Sequence, residues 1–577
     1  MAWEPSPKPP VTLDASPLEE MSKNERIKAE SQGLFHVLDP KRPHTFGDEL
    51  AAMEAGEAET IGNVAKELSK FFGIYKQQIR GERGRKTGDL VFMIRIKNPG
   101  GGLLSPQQWA ALDDTADAFA DSTLRITSRQ AIQYHRVFGK NLRAMVRQLN
   151  QAYMEGGTLA ACGDVNRNVM CSPLDGLDPE HDVRGGELAQ ALAEELAPRT
   201  GAYLQIFLST DEGQKNLTPE EPIYGATYLP RKFKIGIAHP NDNAVDVLSQ
   251  DVGLVPADPA GAEWDLYSGG GMGLTHNNPA TAALPGLYLG RVRREQVVDA
   301  VRGIVMLQRD HGDRKDRKLA RWKYTIRRLG LDRVRTELAD TFGVELSDAE
   351  PVALPPMQLH LGWNEQRGGG GWYGLSVENG RLKGAQRRAA RRVVDELGAS
   401  VRLTPQQDLL LCNLADREGV ESILREEGVA FPETVSLVRR NAMACPAKPT
   451  CGLAMTEAEN ILPRYIDALE EAGLGDVDVV IRMTGCPNNC VRPPTAEVGI
   501  YGYGKNDHVV LVGGSREGSR LAHTIYPRLA GEQMVPALVG LLRVLKERNA
   551  EGLPVGQFLH RTDPEQLRAW VGLEVEA

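Results

Sequence analysis

LRITSRQAIQYHRV (residues 124–137) and VRLTPQQDLLLCNL (residues 401–414) are two stretches of one pattern, and their likeness decides the fold. We interpret each as a β-strand, because apolar and polar residues alternate along it. A helical stretch precedes each of them, at 105–120 and at 384–397. Around the first copy the order of elements is strand, helix, strand, helix, which predicts a small α+β sandwich of ferredoxin-like type.

A second pair of segments extends the repeat. YSGGGMG (267–273) in the first half of the chain has a partner in LVGGSREG (511–518) in the second half. Repetition over a distance of more than 200 residues predicts a duplicated architecture with two small sandwiches and two larger α/β lobes.

Composition excludes several classes of protein. The chain has 577 residues, 41% of them hydrophobic and 25% charged, which is usual for a folded protein with several cores. A formal charge of −9 argues against general nucleic-acid or membrane-surface binding. The sequence has no apolar run of about 18 residues, so it predicts no membrane-spanning helix, and the first 20 residues lack a secretory signal. We therefore expect a cytoplasmic protein.

The cysteines point to metal chemistry. Their count of seven is odd, and four fall in MACPAKPTCGLA (443–454) and TGCPNNCVRPP (484–494). A disulfide framework does not fit, and clustered cysteines in a reducing compartment more often bind metal. The spacing leaves 5 residues between Cys445 and Cys451, 34 before Cys486, and 3 before Cys490.

Four thiolates suit a [4Fe–4S] cluster, because each iron needs one soft anionic ligand. A structural zinc site and buried unpaired thiols are the alternatives. Zinc usually binds cysteine pairs two to four residues apart, so the five-residue gap favours the cluster. Cys412 lies in an apolar strand and is most simply a core residue.

The cysteine motifs resemble the cluster signature of the siroheme-dependent sulfite and nitrite reductases. The resemblance extends, in the order of the family, to FMIRIKNPGG, RITSRQAIQYH, CGDVNRNVMCSP, YLPRKFK and RDHGDRKDRK, and covers most of residues 65–515. It implies an α+β fold with pseudo-twofold symmetry, paired ferredoxin-like half-domains and two lobes that bind siroheme and a [4Fe–4S] cluster. By resemblance, Cys445, Cys451, Cys486 and Cys490 hold the cluster, and Cys490 also bridges to the siroheme iron.

The repeat and the resemblance together predict five units. They are an N-terminal extension (1–80), a first ferredoxin-like half-domain (81–157), a first siroheme-binding α/β lobe (158–330), a second half-domain (350–430) and a second lobe with cluster and siroheme (437–577).

Siroheme carries eight carboxylates, so its pocket needs many fixed donors. In RITSRQAIQYH five polar residues alternate along what we interpret as one strand, which would point them to one face. Arg125 and Arg129 are natural partners for carboxylates because a guanidinium binds them through two N–H groups. The residues predicted to bind siroheme are Arg125, Thr127, Arg129, Gln133, His135 and Asn488.

Sulfite is a small anion, and its reduction needs positive charge and protons over the iron. The resemblance assigns this role to Arg95, Arg167, Lys232 and Lys234. The two lysines are two residues apart, so an extended segment points both the same way. Plant-type nitrite reductases are expected to carry Asn at the second lysine position, so Lys234 favours sulfite over nitrite.

Three further expectations follow from the resemblance. Some family members form a Tyr–Cys thioether beside the siroheme, which predicts a bond between Tyr75 and Cys162. No flavin or nicotinamide domain is visible in the sequence, so the electron donor would be a partner protein, either a ferredoxin or a flavoprotein. The basic segment 313–328 would either bind that donor or line the siroheme pocket. The alternatives are nitrite reduction by the same site and a non-catalytic Fe–S protein.

Overall fold

The structure is a computed structural model. It describes residues 18–30, 46–80, 86–152, 158–159, 163–198, 207–210, 213–216, 221–225 and 227–573. Within these ranges no helix is both long enough and apolar enough to span a membrane.

The strands form four larger sheets and one hairpin. In chain order they are β1 (Ile74–Arg80), β2 (Lys86–Lys97), β3 (Leu124–Ile126), β4 (Ile132–Val137), β5 (Thr158–Leu159), β6 (Met170–Cys171), β7 (Phe207–Thr210), β8 (Gly213–Asn216), β9 (Ile235–Ile237), β10 (Val252–Pro256), β11 (Glu263–Ser268), β12 (Leu287–Arg293), β13 (Gly362–Glu365), β14 (Gly371–Leu375), β15 (Arg381–Leu382), β16 (Ser400–Leu403), β17 (Leu409–Leu414), β18 (Ala442–Ala444), β19 (Ile481–Thr484), β20 (Val498–Gly504), β21 (Asp507–Val512) and β22 (His523–Ala530).

The helices lie between the sheets and on their outer faces. In chain order they are α1 (Lys23–Glu30), α2 (Phe46–Glu54), α3 (Asn63–Leu68), α4 (Pro106–Phe119), α5 (Leu142–Ala152), α6 (Gly185–Glu195), α7 (Val297–His311), α8 (Trp322–Leu329), α9 (Leu331–Phe342), α10 (Gly384–Leu397), α11 (Arg417–Glu426), α12 (Leu437–Arg440), α13 (Leu462–Glu471), α14 (Met534–Arg548), α15 (Val555–Arg561) and α16 (Pro564–Val571).

The first small sheet has the strand order β1-β2-β4-β3-β15, with β5 paired to β2. Helix α4 begins with a capping box at Ser105, whose side chain accepts from the N–H of Gln108, and Pro106 follows at the first helical position. Its buried residues Trp109 and Leu112 belong to the same core as Ile94 of β2.

The interpretation of RITSRQAIQYH as one strand was wrong. Arg125 lies on β3, whereas Gln133 and His135 lie on β4, and the two strands form an antiparallel hairpin in which Arg125 pairs with Gln133. Thr127 and Arg129 lie in the turn between them, because the Thr127 hydroxyl accepts from the N–H groups of residues 129 and 131 and closes that turn. Arg125, Gln133 and His135 still share a sheet face through cross-strand pairing.

The second small sheet repeats this hairpin. It has the order β13-β14-β17-β16, and β16 and β17 enclose a turn at 404–408. Gln130 and Gln407 occupy the same place in the two turns and share a left-handed backbone, with φ of 51° and 75°. Each half also pairs with the sheet of the other: β15 of the second half pairs with β3 of the first, and Leu104 of the first half pairs with Val401 of the second. The predicted duplication is confirmed.

The two large lobes also share one topology. The order is β6-β9-β10-β11-β12 in lobe 1 and β18-β19-β20-β21-β22 in lobe 2, and in both the first three strands are parallel and the last two antiparallel. The glycine repeat follows the fourth strand of each: Gly269 and Gly513 have φ of 82° and 88°. Each donates its N–H to the carbonyl before the third strand, at Asp251 or Glu497.

Candidate active site

Three of the four cysteines reach one edge of the lobe 2 sheet because of strand order. Cys445 directly follows β18, and Cys486 and Cys490 lie in the loop after the neighbouring parallel strand β19. Parallel neighbours end at the same sheet edge, so the two segments meet there. Cys445 and Cys486 are 6% exposed, Cys451 is half-buried in the loop after Cys445, and Cys490 is exposed.

The thiols of the four cysteines form one electrostatic group. Burial raises the pKa of Cys445 well above its ordinary value, and negative charge on Cys490, Cys486 and Cys451 would raise it further. Burial, followed by the charge of Cys490, raises the pKa of Cys486 to about 12. Without cationic iron such thiols stay protonated, so the site suits a group that brings several positive charges to four sulfurs.

Nearby N–H groups are also directed at sulfur. The N–H of Gly485 donates to the Sγ of Cys445 at 3.4 Å, and the Nδ2 of Asn488 lies 3.5 Å from the Sγ of Cys486. Among the described residues no three His, Cys, Asp or Glu side chains converge closely enough to hold a single metal ion. A [4Fe–4S] cluster binds its four thiolates at four separate iron atoms, so it does not require them to converge on one point.

A cavity of about 270 Å³ lies beside the Cys490 loop. Seven of its lining side chains are Arg or Lys, and none of the described residues that line it is Asp or Glu, in a chain with a net charge of −9. Lobe 1 supplies the lysines and lobe 2 supplies Asn488, so the cavity lies between the lobes. Its cationic residues are Arg231, Lys232, Lys234, Arg317, Lys318, Arg321 and Arg492.

The predicted pair Lys232 and Lys234 faces this cavity together, while Phe233 between them is buried in the core. Burial lowers the pKa of both lysines well below the ordinary value, and the charges of Arg231, Arg167 and Arg321 lower that of Lys232 further. Neither lysine forms a hydrogen bond or a salt bridge within the described part of the chain, although the charge of Asp251 partly opposes the burial that lowers the pKa of Lys234. Half-buried cationic side chains without a direct partner suit an anion site.

Arg95, Arg129 and Arg167 extend the same positive field. The charge of Arg167 acts on Lys232 and on Arg129, and the charge of Arg95 acts on Arg129. The Nε of Arg167 donates to the carbonyl of Gly163. The guanidinium of Arg95 faces the Gln133 side chain, whose oxygen accepts from the Arg95 Nε at 2.8 Å when the amide is oriented for that bond.

Two predicted siroheme ligands are occupied by protein partners. Arg125 is fully buried and donates to Glu459 and to the carbonyl of Ala444, which directly precedes Cys445. The Nδ1 of His135 faces Arg381 at 3.0 Å, and a guanidinium only donates, so this nitrogen accepts. Burial and the nearby guanidinium groups hold the pKa of His135 well below its ordinary value, so the ring is neutral. Arg125 thus binds the backbone beside Cys445 directly, whereas His135 is connected to that segment only through Arg381 and Glu459.

Arg129 keeps a free donor. Its guanidinium donates to the Gln250 side chain at 2.8 Å and to the carbonyl of Asn168, while its Nε is buried and has no partner in the described part of the chain. The predicted thioether cannot be placed, because Cys162 lies outside the described residues. Tyr75 is described, and its ring centre lies 5.9 Å from the guanidinium carbon of Arg95.

Sequence reasoning missed part of the cavity wall. Arg317, Lys318, Arg321 and Tyr324 come from the basic segment 313–328, so the alternative in which this segment lines the pocket is supported. Carboxylates orient two of them: Arg317 donates to Asp164, and Arg321 to Asp251. The glycine-rich loop contributes as well, since a Cβ at Gly273 would approach the carbonyl oxygen of Asn488 to 3.0 Å.

Comparisons with known proteins agree with this geometry. A family model described as the nitrite and sulphite reductase 4Fe-4S domain matches residues 162–346, and the nitrite/sulfite reductase ferredoxin-like half domain matches 83–152 and 364–427. The sulfite reductase [NADPH] hemoprotein beta-component of Staphylococcus saprophyticus is 39% identical, over 94% of this chain and 96% of the relative. The chain belongs to the nitrite and sulfite reductase family. It is an oxidoreductase of that family.

Two other relatives extend the comparison. The sulfite reductase [ferredoxin] of Synechococcus elongatus is 36% identical, over 95% of this chain and 91% of the relative. The structure of the Mycobacterium tuberculosis NirA protein matches with a TM-score of 0.76 at 22% identity, covering 95% of this chain and 98% of that one, which confirms the fold. The 4Fe-4S family model falls on lobe 1, whereas the cysteines lie in lobe 2.

Proposed function

We propose that this chain reduces sulfite to sulfide at a siroheme that Cys490 joins to a [4Fe–4S] cluster. One observation carries the proposal. Cys490 is the exposed member of the four-cysteine group, and its charge acts both on the buried thiols of Cys445 and Cys486 and on Lys232 in the cavity. A single sulfur therefore lies between the cluster site and the anion site.

When bound, the siroheme and the cluster would supply the electron transfer, six electrons and seven protons converting sulfite to hydrosulfide and three waters. The protein's part is electrostatic. Lys232, Lys234, Arg167 and Arg95 would bind the substrate anion and polarise its S–O bonds. Because burial and neighbouring cations lower the pKa of both lysines, their ammonium groups would also give up protons readily.

The siroheme carboxylates need donors that the protein leaves free. The side chain of Arg231 has no acceptor within the described residues, and Arg129 Nε, Arg321 Nε and Arg492 Nη2 are buried without partners. Buried N–H groups are rarely left unpaired in a complete protein. These donors fit a polycarboxylate better than they fit an empty cavity, and Asn488 lines the same space.

Sulfite is favoured over nitrite because of charge. Two lysines that line one cavity, neither of them in a salt bridge among the described residues, hold a dianion better than a monoanion, and Lys234 is the second of them. We propose that a separate protein delivers the electrons. Relatives are named for either NADPH or ferredoxin as donor, so both a flavoprotein and a ferredoxin are candidate partners.

Two measurements on the purified protein test this function. We expect an absorption spectrum with the Soret and visible bands of siroheme, together with iron and sulfide contents for one cluster. Steady-state assays with one reduced donor should give a larger kcat/KM for sulfite than for nitrite. A protein with the cluster but no tetrapyrrole bands would contradict the assignment, and a much larger kcat/KM for nitrite would replace sulfite with nitrite.

A further inference from the structure

Asp246 and Arg492 occupy the same position in the two lobes. The strand registers align Gly253 of lobe 1 with Gly499 of lobe 2, and the same alignment makes Asp246 the equivalent of Arg492 in the repeat. Both have a left-handed backbone, with φ of 54° and 61°, and both precede a short 3-10 turn. Each N–H donates to the carbonyl of an asparagine three residues earlier. The two residues have one backbone setting and opposite charge.

These equivalent residues bind each other across the lobe interface. The Nε of Arg492 donates to the Oδ2 of Asp246 at 2.6 Å, and the same oxygen accepts from Arg482 and from the Thr495 hydroxyl. Asp246 is 2% exposed and Arg492 5%. Burial alone would raise the pKa of Asp246, but the two guanidinium groups hold it below its ordinary value, so the carboxylate is ionised.

Arg492 connects this ion pair to the active site. It lines the cavity and lies two residues beyond Cys490. Its Nη1 donates to the carbonyl of Ser128 at 3.2 Å, and the Ser128 hydroxyl donates to the carbonyl of Cys490 at 3.0 Å. Its Nη2 is buried and has no hydrogen-bond partner among the described residues. Arg492 therefore contacts the lobe 1 carboxylate and the turn between β3 and β4, whose Ser128 hydroxyl binds the Cys490 carbonyl, and it also lines the cavity.

We propose that Asp246 is a positioning residue: through Arg492 it fixes the Cys490 loop and directs the free Nη2 of Arg492 at a carboxylate of the bound tetrapyrrole. This inference rests on the proposed function. Without the Asp246 carboxylate, two buried guanidinium groups repel each other with no counter-charge, which is a costly arrangement. Arg492 would then turn away from its present position, and the loop that carries Cys490 would loosen.

The test compares three holoenzyme variants with the wild type. Asp246→Asn removes the charge, and Asp246→Glu keeps it. Asp113→Asn is the matched control, because Asp113 also forms a buried ion pair between the repeats, with Arg387 of α10, but lies outside the cavity lining. The readouts are tetrapyrrole content, the position of the Soret band, KM and kcat for sulfite, and hydrogen exchange of the peptide 486–496.

We expect Asp246→Asn to shift the Soret band, to raise hydrogen exchange in 486–496, and to lower kcat/KM for sulfite by about thirtyfold or more, as when one partner of a buried charge pair is removed. Asp246→Glu should restore most of each value, and Asp113→Asn should change none of them. Equal changes in Asp246→Asn and Asp113→Asn, or an Asp246→Asn protein identical to wild type, would overturn the proposal.

Arg492→Lys covers the case in which Asp246→Asn does not fold. It keeps a positive charge for Asp246 but removes the unpaired Nη2 that we assign to a tetrapyrrole carboxylate, so the same Soret shift is expected, and an unshifted band overturns the proposal. The hydrogen-exchange measurement separates the positioning role of Asp246 from the proposed function. If wild-type protein lacks tetrapyrrole bands, the proposed function fails, while raised exchange in Asp246→Asn alone would still show that Asp246 holds the loop.

Discussion

Lobes 1 and 2 have one topology but contribute different chemistry to the same cavity. The register that aligns Met170 with Met443 places Ser172 of lobe 1 at the position of Cys445, and the register that aligns Gly253 with Gly499 places Ala244 at the position of Cys490. Lobe 1 therefore lacks cluster ligands at these two positions.

The lysines of the cavity are distributed the other way, because lobe 1 carries them and lobe 2 does not. By the same register Lys232 and Lys234 of lobe 1 correspond to Asp478 and Val480 of lobe 2. The cavity combines the cysteine loop of lobe 2 with the cationic segment of lobe 1 that leads into β9. At the symmetry-related place, the equivalents of Cys490 and Lys234 are Ala244 and Val480. These two residues pack in a small apolar cluster with Met357 of the segment between the halves. One copy supplies the metal ligands and the other the charge, so the duplication yields a single site.

The largest expected effect comes from making lobe 2 resemble lobe 1. Cys445→Ser introduces the residue that lobe 1 has at this position, and it removes one of four soft ligands from the cluster. We expect loss of the cluster and of sulfite reduction by about a thousandfold or more. Iron analysis and the donor-linked assay measure this. Cys171→Ser is the control, because burial raises the pKa of this thiol and it lies in the core of lobe 1. Unchanged iron content in Cys445→Ser would contradict the assignment.

The cationic segment before β9 gives the next largest effect. Lys234→Asn should lower kcat/KM for sulfite by about ten- to a hundredfold, as expected for one charged contact, and the loss for nitrite should be smaller. The exposed Lys315→Asn is the matched control from the basic segment that lines the cavity. Equal losses for both substrates would show that Lys234 does not select between the anions.

The pH dependence should separate lysine from arginine at that position. Burial and the charges of Lys232 and Arg129 lower the pKa of Lys234, so this side chain loses its proton at a lower pH than a free lysine. In wild type we expect KM for sulfite to rise with pH over that range. Lys234→Arg should keep its charge and move the rise to higher pH. Profiles of log kcat/KM against pH measure this, and superimposable profiles would exclude Lys234 as the titrating group.

The smallest effect concerns the two half-domains. Asp408 occupies the place of Ala131 in the repeated hairpin, and burial raises its pKa to about 7. An unfolded carboxyl titrates near 3.9, so between about pH 4 and 7 only the folded chain keeps the proton. The free energy of unfolding therefore falls as pH rises through this range. Asp408→Asn should flatten that dependence, measured as Tm at pH 5 and pH 8, whereas the exposed Asp340→Asn should not.

The sequence was sufficient for the features that depend on order and spacing. The repeat of 124–137 and 401–414 predicted the duplication, and the motif around Lys232 and Lys234 predicted two side chains that do share a cavity. The domain boundaries and the roles of the predicted residues stay predictions. The interpretation of residues 125–135 as one strand was wrong because alternation continues across the turn, so periodicity alone does not reveal a hairpin.

Contacts between distant segments could not be predicted. Arg125 was expected to face the cofactor, but Glu459 and the carbonyl of Ala444 bind it, and both lie more than 300 residues away. The pairing of Asp246 with Arg492 depends on how the lobes face each other, which no local pattern encodes. Arg321 and Tyr324 were part of a basic segment whose exposure the sequence left open.

The central claim is that Cys490 joins the cluster to the tetrapyrrole beside the cationic cavity. The most direct test is a Mössbauer spectrum of the oxidised holoenzyme enriched in iron-57. A shared thiolate predicts magnetic splitting of the cluster irons, because the paramagnetic tetrapyrrole iron would be coupled to them through sulfur. A cluster that gives only an unsplit quadrupole doublet, as an isolated diamagnetic [4Fe–4S] cluster does, would contradict the account.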